Sequence, residues 1–209
     1  MSEVIPHWLT KQADLKPDQV ALEYNEKESL TFQELYQASQ TMARRLASLG
    51  VVKDSHVALL SQNDVHMVIT IHALSYLGAV VVLLNTRLSS RELQFQIDDA
   101  KVHLLVASDR FSEEMAEIDV TQKKTFSGLQ QTAKKDVVLQ EELVLSDPFT
   151  IIYTSGTTGF PKGVVHTYGN HWWSAIGSAL NLGISAQDKW LAVLPLFHVS
   201  GLSIFYVKA

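Results

Sequence analysis

Residues 56–84 read HVALLSQNDVHMVITIHALSYLGAVVVLL, and this stretch predicts the architecture of the whole chain. Its first six and last five residues are continuous, mostly apolar runs, which are typical of strands buried on both faces. Between the two runs, Asn63 or Asp64 can cap a helix that ends near Gly78. A strand, a helix and a second strand in this order predict parallel strands joined by a crossover.

The same alternation continues on both sides of this stretch. Toward the N-terminus, Thr31–Glu34 is a capping-box pattern, and the apolar spacing behind it predicts a helix that ends at Gly50. Toward the C-terminus, Ser89–Glu92 repeats that pattern and opens a helix through about Ala100, followed by a strand over His103–Ala107. The sequence therefore predicts an α/β fold, with mostly parallel sheet layers flanked by helices.

Residues 109–147 carry a weaker and more polar pattern. Gln122–Lys124 and Lys134–Asp136 are charged runs, which we interpret as a solvated surface rather than a functional basic patch. We expect this segment to bridge two lobes of one partial domain, the first over about 1–108 and the second over about 148–209.

Regular structure returns in the second lobe. Phe149–Tyr153 and Val164–His166 are predicted strands because they are rich in β-branched and aromatic residues. A helix is predicted over about Tyr168–Leu182, followed by a further buried strand over Trp190–Leu194 and a loop over Pro195–Gly201.

Composition narrows the possible functions. The chain has 209 residues, no cysteine and a formal net charge of −5 at pH 7, from 17 Lys and Arg against 22 Asp and Glu. Absence of cysteine excludes a disulfide scaffold, a thiol nucleophile and a cysteine-ligated metal. A mildly acidic chain without a basic run argues against nucleic acid as the main partner. We see neither a secretory signal nor a membrane span, and we expect a cytoplasmic protein.

Residues 154–163 read TSGTTGFPKG and carry the clearest chemical signal. Glycines let the backbone approach a ligand and expose its amides, hydroxyls add donors, and a lysine adds a charge suited to phosphate oxygens. These features predict a loop that binds a polyphosphate. A Walker A loop is disfavoured because Pro161 precedes Lys162 and Gly163 follows it. A flexible linker would not require a Pro-Lys-Gly tail between two strands.

Ile151–Lys162 resembles the AMP-binding signature of the adenylate-forming superfamily, which includes acyl-CoA synthetases, the adenylation domains of peptide synthetases, and luciferases. Leu30–Leu35, Asp54–Asn63 and Leu194–His198 resemble further segments of that superfamily, in the same order. The resemblance extends over essentially the whole chain and implies the N-terminal, AMP-binding domain of such an enzyme.

A narrower resemblance concerns three segments. Leu83–Ser89, Tyr168–Gly183 and Pro195–Ser203 are similar to the 2-succinylbenzoate–CoA ligases of menaquinone biosynthesis. A medium- or long-chain fatty acyl-CoA synthetase is the alternative that this comparison leaves open.

The resemblance implies a reaction in two steps. A carboxylate attacks the α-phosphorus of ATP and releases pyrophosphate, and the thiol of CoA then attacks the acyl carbon and releases AMP. The family resemblance also implies Mg²⁺. Residues implied to hold the phosphates are Thr154, Ser155, Gly156, Thr157, Thr158, Gly159 and Lys162.

The resemblance also implies an acid-binding pocket. His198, beside Phe197, would lie near the acyl substrate and donate a hydrogen bond to its carboxylate, with Ser200 assisting; the alternative is a histidine that packs the loop. His171 is either a substrate-side residue or a packing residue. Arg87 is either a cation for a second carboxylate or a surface residue. We expect a core position for Trp172, Trp173 and Ile176, and the spacing of the other histidines predicts no protein-bound metal.

Several motifs of the superfamily have no counterpart before Ala209. These are the adenine-contacting stretch, the glutamate that helps to hold Mg²⁺, the ribose-binding aspartate, and the C-terminal domain with its catalytic lysine. We therefore expect the 209-residue chain by itself to be inactive. Two other interpretations stay open, a non-catalytic binding module and a subunit completed by a separate chain, and so does a homo-oligomer.

Overall fold

The computed structural model describes residues 3–25, 28–155, 160–185 and 187–208. The strands of these residues are β1 (Val4–Pro6), β2 (Val20–Tyr24), β3 (Glu28–Thr31), β4 (His56–Leu60), β5 (Val80–Leu83), β6 (Leu104–Ala107), β7 (Gln122–Thr125), β8 (Glu142–Val144), β9 (Pro148–Thr154) and β10 (Lys162–Thr167). The helices are α1 (Trp8–Leu15), α2 (Phe32–Ser48), α3 (Val65–Leu77), α4 (Ser90–Asp99), α5 (Ser112–Glu117), α6 (Phe126–Gln130), α7 (Tyr168–Leu182) and α8 (Val199–Lys208). A short 3-10 helix spans Asp109–Phe111.

A six-stranded sheet organises the described residues, in the order β10-β9-β5-β4-β6-β7. Its neighbouring strands run parallel, except that β10 runs antiparallel to β9. Two antiparallel pairs, β1 with β8 and β2 with β3, lie outside this sheet. The predicted fold class, a mostly parallel sheet flanked by helices, is confirmed.

The centre of the sheet is buried on both faces. Val57 and Leu59 of β4 belong to one apolar cluster, together with side chains of α2 and α3. Ala58 and Leu60 of the same strand belong to the opposite cluster, together with side chains of α4. The continuous apolar runs are strands buried on both faces, as predicted, because every position of such a strand contacts a covering layer.

The predicted helix caps are also present. Glu34 N–H donates to the Thr31 hydroxyl at 3.2 Å, and Thr31 N–H donates to the Glu34 carboxylate at 2.8 Å, which completes the capping box. Asp64, rather than Asn63, caps α3 by accepting a backbone N–H at 2.7 Å. Gly78 ends that helix with a positive φ of 66°.

The sheet has two features that the sequence did not predict. Gln122–Lys124 was expected to lie on a solvated surface, but it belongs to β7, which pairs with β6 at one edge of the sheet. The sheet is also continuous across the expected lobe boundary near residue 148, because β9 pairs with β5. The division into lobes stays a prediction.

The expectation of a buried strand over Trp190–Leu194 is wrong. Those residues form no strand, and 82% of Leu191 is exposed. Trp173, expected in the core, is 59% exposed, whereas Trp172 and Ile176 are half-buried. Val165 of β10 is 51% exposed, since this edge strand has a neighbour on one side only among the described residues. None of the helices within the described ranges combines the length and apolar character needed to cross a membrane.

Candidate functional site

The predicted phosphate loop connects the two strands of a β-hairpin. Thr154 is the last residue of β9, Lys162 is the first residue of β10, and the two are paired across the hairpin. Thr154, Ser155 and Lys162 are exposed, so their hydroxyls and ammonium group are available to a ligand. The other predicted loop residues lie outside the described residues, and they are Gly156, Thr157, Thr158 and Gly159.

This hairpin leaves the sheet at its carboxyl edge. Ile152 of β9 pairs with Leu83 of β5 in a parallel ladder, so the segments after both strands emerge at the same edge. The segment after β5 contains Arg87, whose side chain is exposed and whose backbone N–H donates to Asn85 Oδ1 at 3.0 Å. In open α/β sheets, ligands bind at this edge. The structure thus brings Arg87 to the same edge as the predicted phosphate loop.

Helix α4 contacts the hairpin on both sides of its turn. Before the turn, the Tyr153 hydroxyl donates to Asp99 Oδ2 at 2.6 Å and lies 3.2 Å from the carbonyl oxygen of Gln96. After the turn, the ring of Phe160 lies 6.0 Å from the ring of Phe95. Burial, followed by the nearby Asp99 carboxylate, raises the pKa of Tyr153 well above its ordinary value, so the hydroxyl keeps its proton.

The predicted pocket segment meets the same edge of the sheet. Asn63, in the turn after β4, forms hydrogen bonds to the backbone of residues 192–196. Within the segment, Phe197 is buried, whereas His198 and Ser200 are exposed, and the rings of Phe197 and His198 lie 4.8 Å apart. One face of this segment is therefore packed and the other is open.

His171 lies elsewhere. Its side chain is 4% exposed, and its Nε2 lies 3.0 Å from the hydroxyl of Thr150. Burial, with a smaller effect of nearby His166, lowers the pKa of His171 to about 4, so the ring is neutral at pH 7. Thr150 precedes the end of β9 at Thr154 by four residues, about 13 Å along a strand. The structure does not bring His171 together with the hairpin turn.

The sequence analysis missed the supporting roles of two residues at the site. Asp99 binds Tyr153 across 54 positions of the chain, and Asn63 binds Leu194 across 131 positions. Neither contact has a local sequence signal, since each depends on the sheet order and on the packing of helices against it.

Comparison with known proteins shows the family of this chain. Residues 9–208 match the family described as AMP-binding enzyme. The chain is 49% identical over 205 residues to the 2-succinylbenzoate–CoA ligase of Oceanobacillus iheyensis, an alignment that covers 97% of this chain and 42% of that relative.

Two solved structures of O-succinylbenzoate coenzyme A synthetase (MenE) from Bacillus subtilis are similar to this fold. One is in complex with ATP and magnesium ion, with a TM-score of 0.91 and 42% identity over 99% of this chain and 55% of that chain. The other is in complex with the acyl-adenylate intermediate OSB-AMP, with a TM-score of 0.92, 42% identity and the same coverage. The resemblances inferred from the sequence are confirmed, and the chain spans less than half of the length of the curated relative.

Proposed function

Because this chain belongs to the AMP-binding enzyme family, we propose that it forms the phosphate-binding part of an ATP-dependent acid–thiol ligase that acts on 2-succinylbenzoate. The substrate follows from its 49% identity to a 2-succinylbenzoate–CoA ligase. In the proposed reaction, an oxygen of the acid attacks the α-phosphorus of ATP and pyrophosphate leaves. The thiol of CoA then forms a bond to the acyl carbon, and AMP leaves.

The position of the hairpin is the observation that carries this proposal. Thr154 and Lys162 are paired at the base of a glycine-rich turn, and both lie at the carboxyl edge of a parallel sheet. Phosphoryl transfer depends mainly on positioning and on stabilisation of negative charge. A turn that offers hydroxyls, backbone amides and one ammonium group is suited to the β- and γ-phosphates of ATP.

In this proposal, the residues of the turn hold the leaving pyrophosphate. Thr154 and Ser155 donate hydroxyl hydrogen bonds, and Lys162 balances the charge that develops on the leaving group. Gly156, Thr157, Thr158 and Gly159 contribute further amides and hydroxyls.

The described residues do not supply a magnesium site. Within ranges 3–25, 28–155, 160–185 and 187–208, no group of three or more His, Asp or Glu side chains could hold a metal ion. The described ends of the hairpin turn carry hydroxyls and an ammonium group but no carboxylate. These donors do not fit Mg²⁺, which prefers carboxylate and phosphate oxygens, and we assign it to none of these residues.

The acid would bind beside the hairpin. His198 and Ser200 are exposed and can donate hydrogen bonds to one carboxylate, while Phe197 packs the segment from behind. Arg87 lies at the adjacent strand end and can neutralise the second carboxylate that distinguishes this substrate from a fatty acid. We assign His171 a packing role, because it is buried and hydrogen-bonded within the core.

A fusion enzyme tests this function. Residues 1–208 would be joined to the portion of the Oceanobacillus iheyensis ligase that this chain does not cover, and thioester formation measured with ATP and CoA. We expect product from 2-succinylbenzoate. We expect Lys162→Ala to lower kcat by about 100-fold, because it removes charge stabilisation in the transition state. The matched control is Lys134→Ala, which removes an exposed lysine outside the hairpin.

Two results would contradict the proposal. One is a folded fusion that makes no 2-succinylbenzoyl thioester, and the other is a fusion that uses straight-chain fatty acids equally well. Cooperative thermal unfolding, followed by circular dichroism, shows that each variant is folded before its activity is compared.

A further inference from the structure

Asn63 connects two packed elements of the fold. It lies in the short turn between β4, which is buried on both faces, and α3, whose first turn is capped by Asp64. Groups supported by regular elements on both sides hold their geometry better than groups on free loops. Asn63 is therefore placed by a buried strand on one side and a capped helix on the other.

The side chain of Asn63 forms three hydrogen bonds to one distant segment, residues 192–196. Its Nδ2 donates to the carbonyl oxygens of Ala192 at 3.1 Å and Leu194 at 3.0 Å. Its Oδ1 accepts the backbone N–H of Leu196 at 2.9 Å. Both amide hydrogens and the carbonyl oxygen are engaged, so these contacts fix the orientation of the amide as well as its position.

A second feature, the close approach of Gly201, also involves this segment. At Gly201, a Cβ atom would lie 2.1 Å from the carbonyl oxygen of Pro195 and 2.7 Å from that of Leu194. This close approach leaves no space for a side chain at position 201. The backbone N–H of His198 also donates to the carbonyl oxygen of Pro195 at 3.1 Å, which closes a turn directly before α8.

We propose that Asn63 is a positioning residue that sets the backbone of residues 192–196 and thereby orients Phe197 and His198 in the acid-binding pocket. This inference rests on the proposed function for the role of the pocket, but not for the contact itself. The side-chain hydrogen bonds of Asn63 run to residues 192–196 and not to Thr154, Ser155 or Lys162, so its effect should concern the acid and not the nucleotide.

Amide hydrogen exchange in the 209-residue chain tests the contact. We expect Asn63→Ala to raise exchange at Leu196 by about fivefold, the effect of losing one hydrogen bond. Asn63→Asp should do the same, because its carboxylate would face two carbonyl oxygens. The matched control is Gln62→Ala, whose side chain accepts from Arg110 instead, and it should leave Leu196 unchanged. An unaltered Leu196, or an equal rise throughout β4 and β5, would overturn the proposal.

Kinetics of the fusion enzyme test the consequence. Asn63→Ala should raise KM for 2-succinylbenzoate by about tenfold and leave KM for ATP within about twofold. The reason is that a misplaced binding group weakens the binding of only the substrate that it contacts. An active fusion with an unchanged KM for the acid would overturn the positioning role while the proposed function stands. A fusion without activity would contradict the proposed function alone, because the exchange at Leu196 tests the contact of Asn63 independently of catalysis.

Discussion

Two similar sequences have opposite environments in this molecule. Residues 56–60 read HVALL and residues 190–194 read WLAVL, and both are short apolar runs. In the first, Val57 to Leu60 are at most 1% exposed. In the second, Leu191 is 82% exposed and Val193 is 71% exposed. Apolar composition is therefore not sufficient for burial.

The difference lies in the neighbours of each run. Strand β4 pairs with β5 on one side and β6 on the other, and helices cover both of its faces. Residues 190–194 have no strand partner within the described residues and are attached to the sheet through the side chain of Asn63. A run becomes a strand only where another backbone satisfies its N–H and C=O groups.

The largest expected effect comes from one substitution made in both runs. Leu59→Ala should lower the free energy of unfolding by roughly 3 kcal/mol, because it removes a fully buried side chain and leaves a cavity. Leu191→Ala should change that free energy by less than about 0.5 kcal/mol, because the side chain is already in solvent. Urea unfolding of the two variants measures the difference.

Equal losses in the two variants would contradict the comparison. They would mean that residues 190–194 are packed in solution as tightly as β4. The two substitutions delete the same atoms, so their side-chain chemistry cancels and only the environment remains.

Local signals explain what the sequence could predict. The capping side chains of Thr31 and Asp64 lie within a few residues of the amides they bind. Short sequence patterns therefore predict where α2 and α3 begin. Apolar runs similarly predicted the central strands. At the site, the glycine-rich composition of residues 154–163 predicted a loop between two strands, and the structure pairs those strands as a hairpin.

Non-local features explain what the sequence could not predict. Strand β7 reads QKKT and has no apolar pattern, because its half-buried side chains lie at an edge of the sheet. The contact of Asn63 with Leu196 spans 133 positions and follows from the sheet order rather than from local sequence. The sequence left His171 open between a substrate-side role and a packing role, and only the packing around Thr150 shows that its ring is in the core.

The second prediction concerns the pH dependence of stability, which a buried histidine beside the central sheet should affect. Burial lowers the pKa of His72, on α3, to about 4. A histidine with a lowered folded-state pKa stabilises the fold fully above its unfolded value of about 6.5, and this contribution is lost as the pH falls toward 4. We expect a loss of roughly 3 kcal/mol at pH 4 from this group, measured by urea unfolding between pH 7 and pH 4.

His72→Gln is the control, because it removes the titrating ring. It should be less stable than the native chain at pH 7 but should lose less stability on acidification. If the free energy of unfolding fell equally with pH in both proteins, His72 would be protonated in the folded state near pH 6.5.

The smallest expected effect comes from comparing a packed position and an open position of one helix, α7. A Cβ atom at Gly169 would lie 2.8 Å from the carbonyl oxygen of Leu145, whereas a Cβ atom at Gly177 would meet nothing within 4 Å apart from its chain neighbours and the backbone of its own helix. Gly169→Ala should therefore destabilise the chain by roughly 1 to 2 kcal/mol through crowding of backbone atoms. Gly177→Ala should stabilise it by up to about 1 kcal/mol, because alanine is the better helix former.

Thermal unfolding measures the change in stability caused by each substitution, and we expect the two changes to have opposite signs. Helix propensity favours alanine at both positions, so any opposite effect at Gly169 comes from the contact with Leu145. Stabilisation by both substitutions would show that the start of α7 is as loosely packed as its middle. Destabilisation by both would place a neighbour against Gly177, and the boundary between the packed and open parts would then lie farther along the helix.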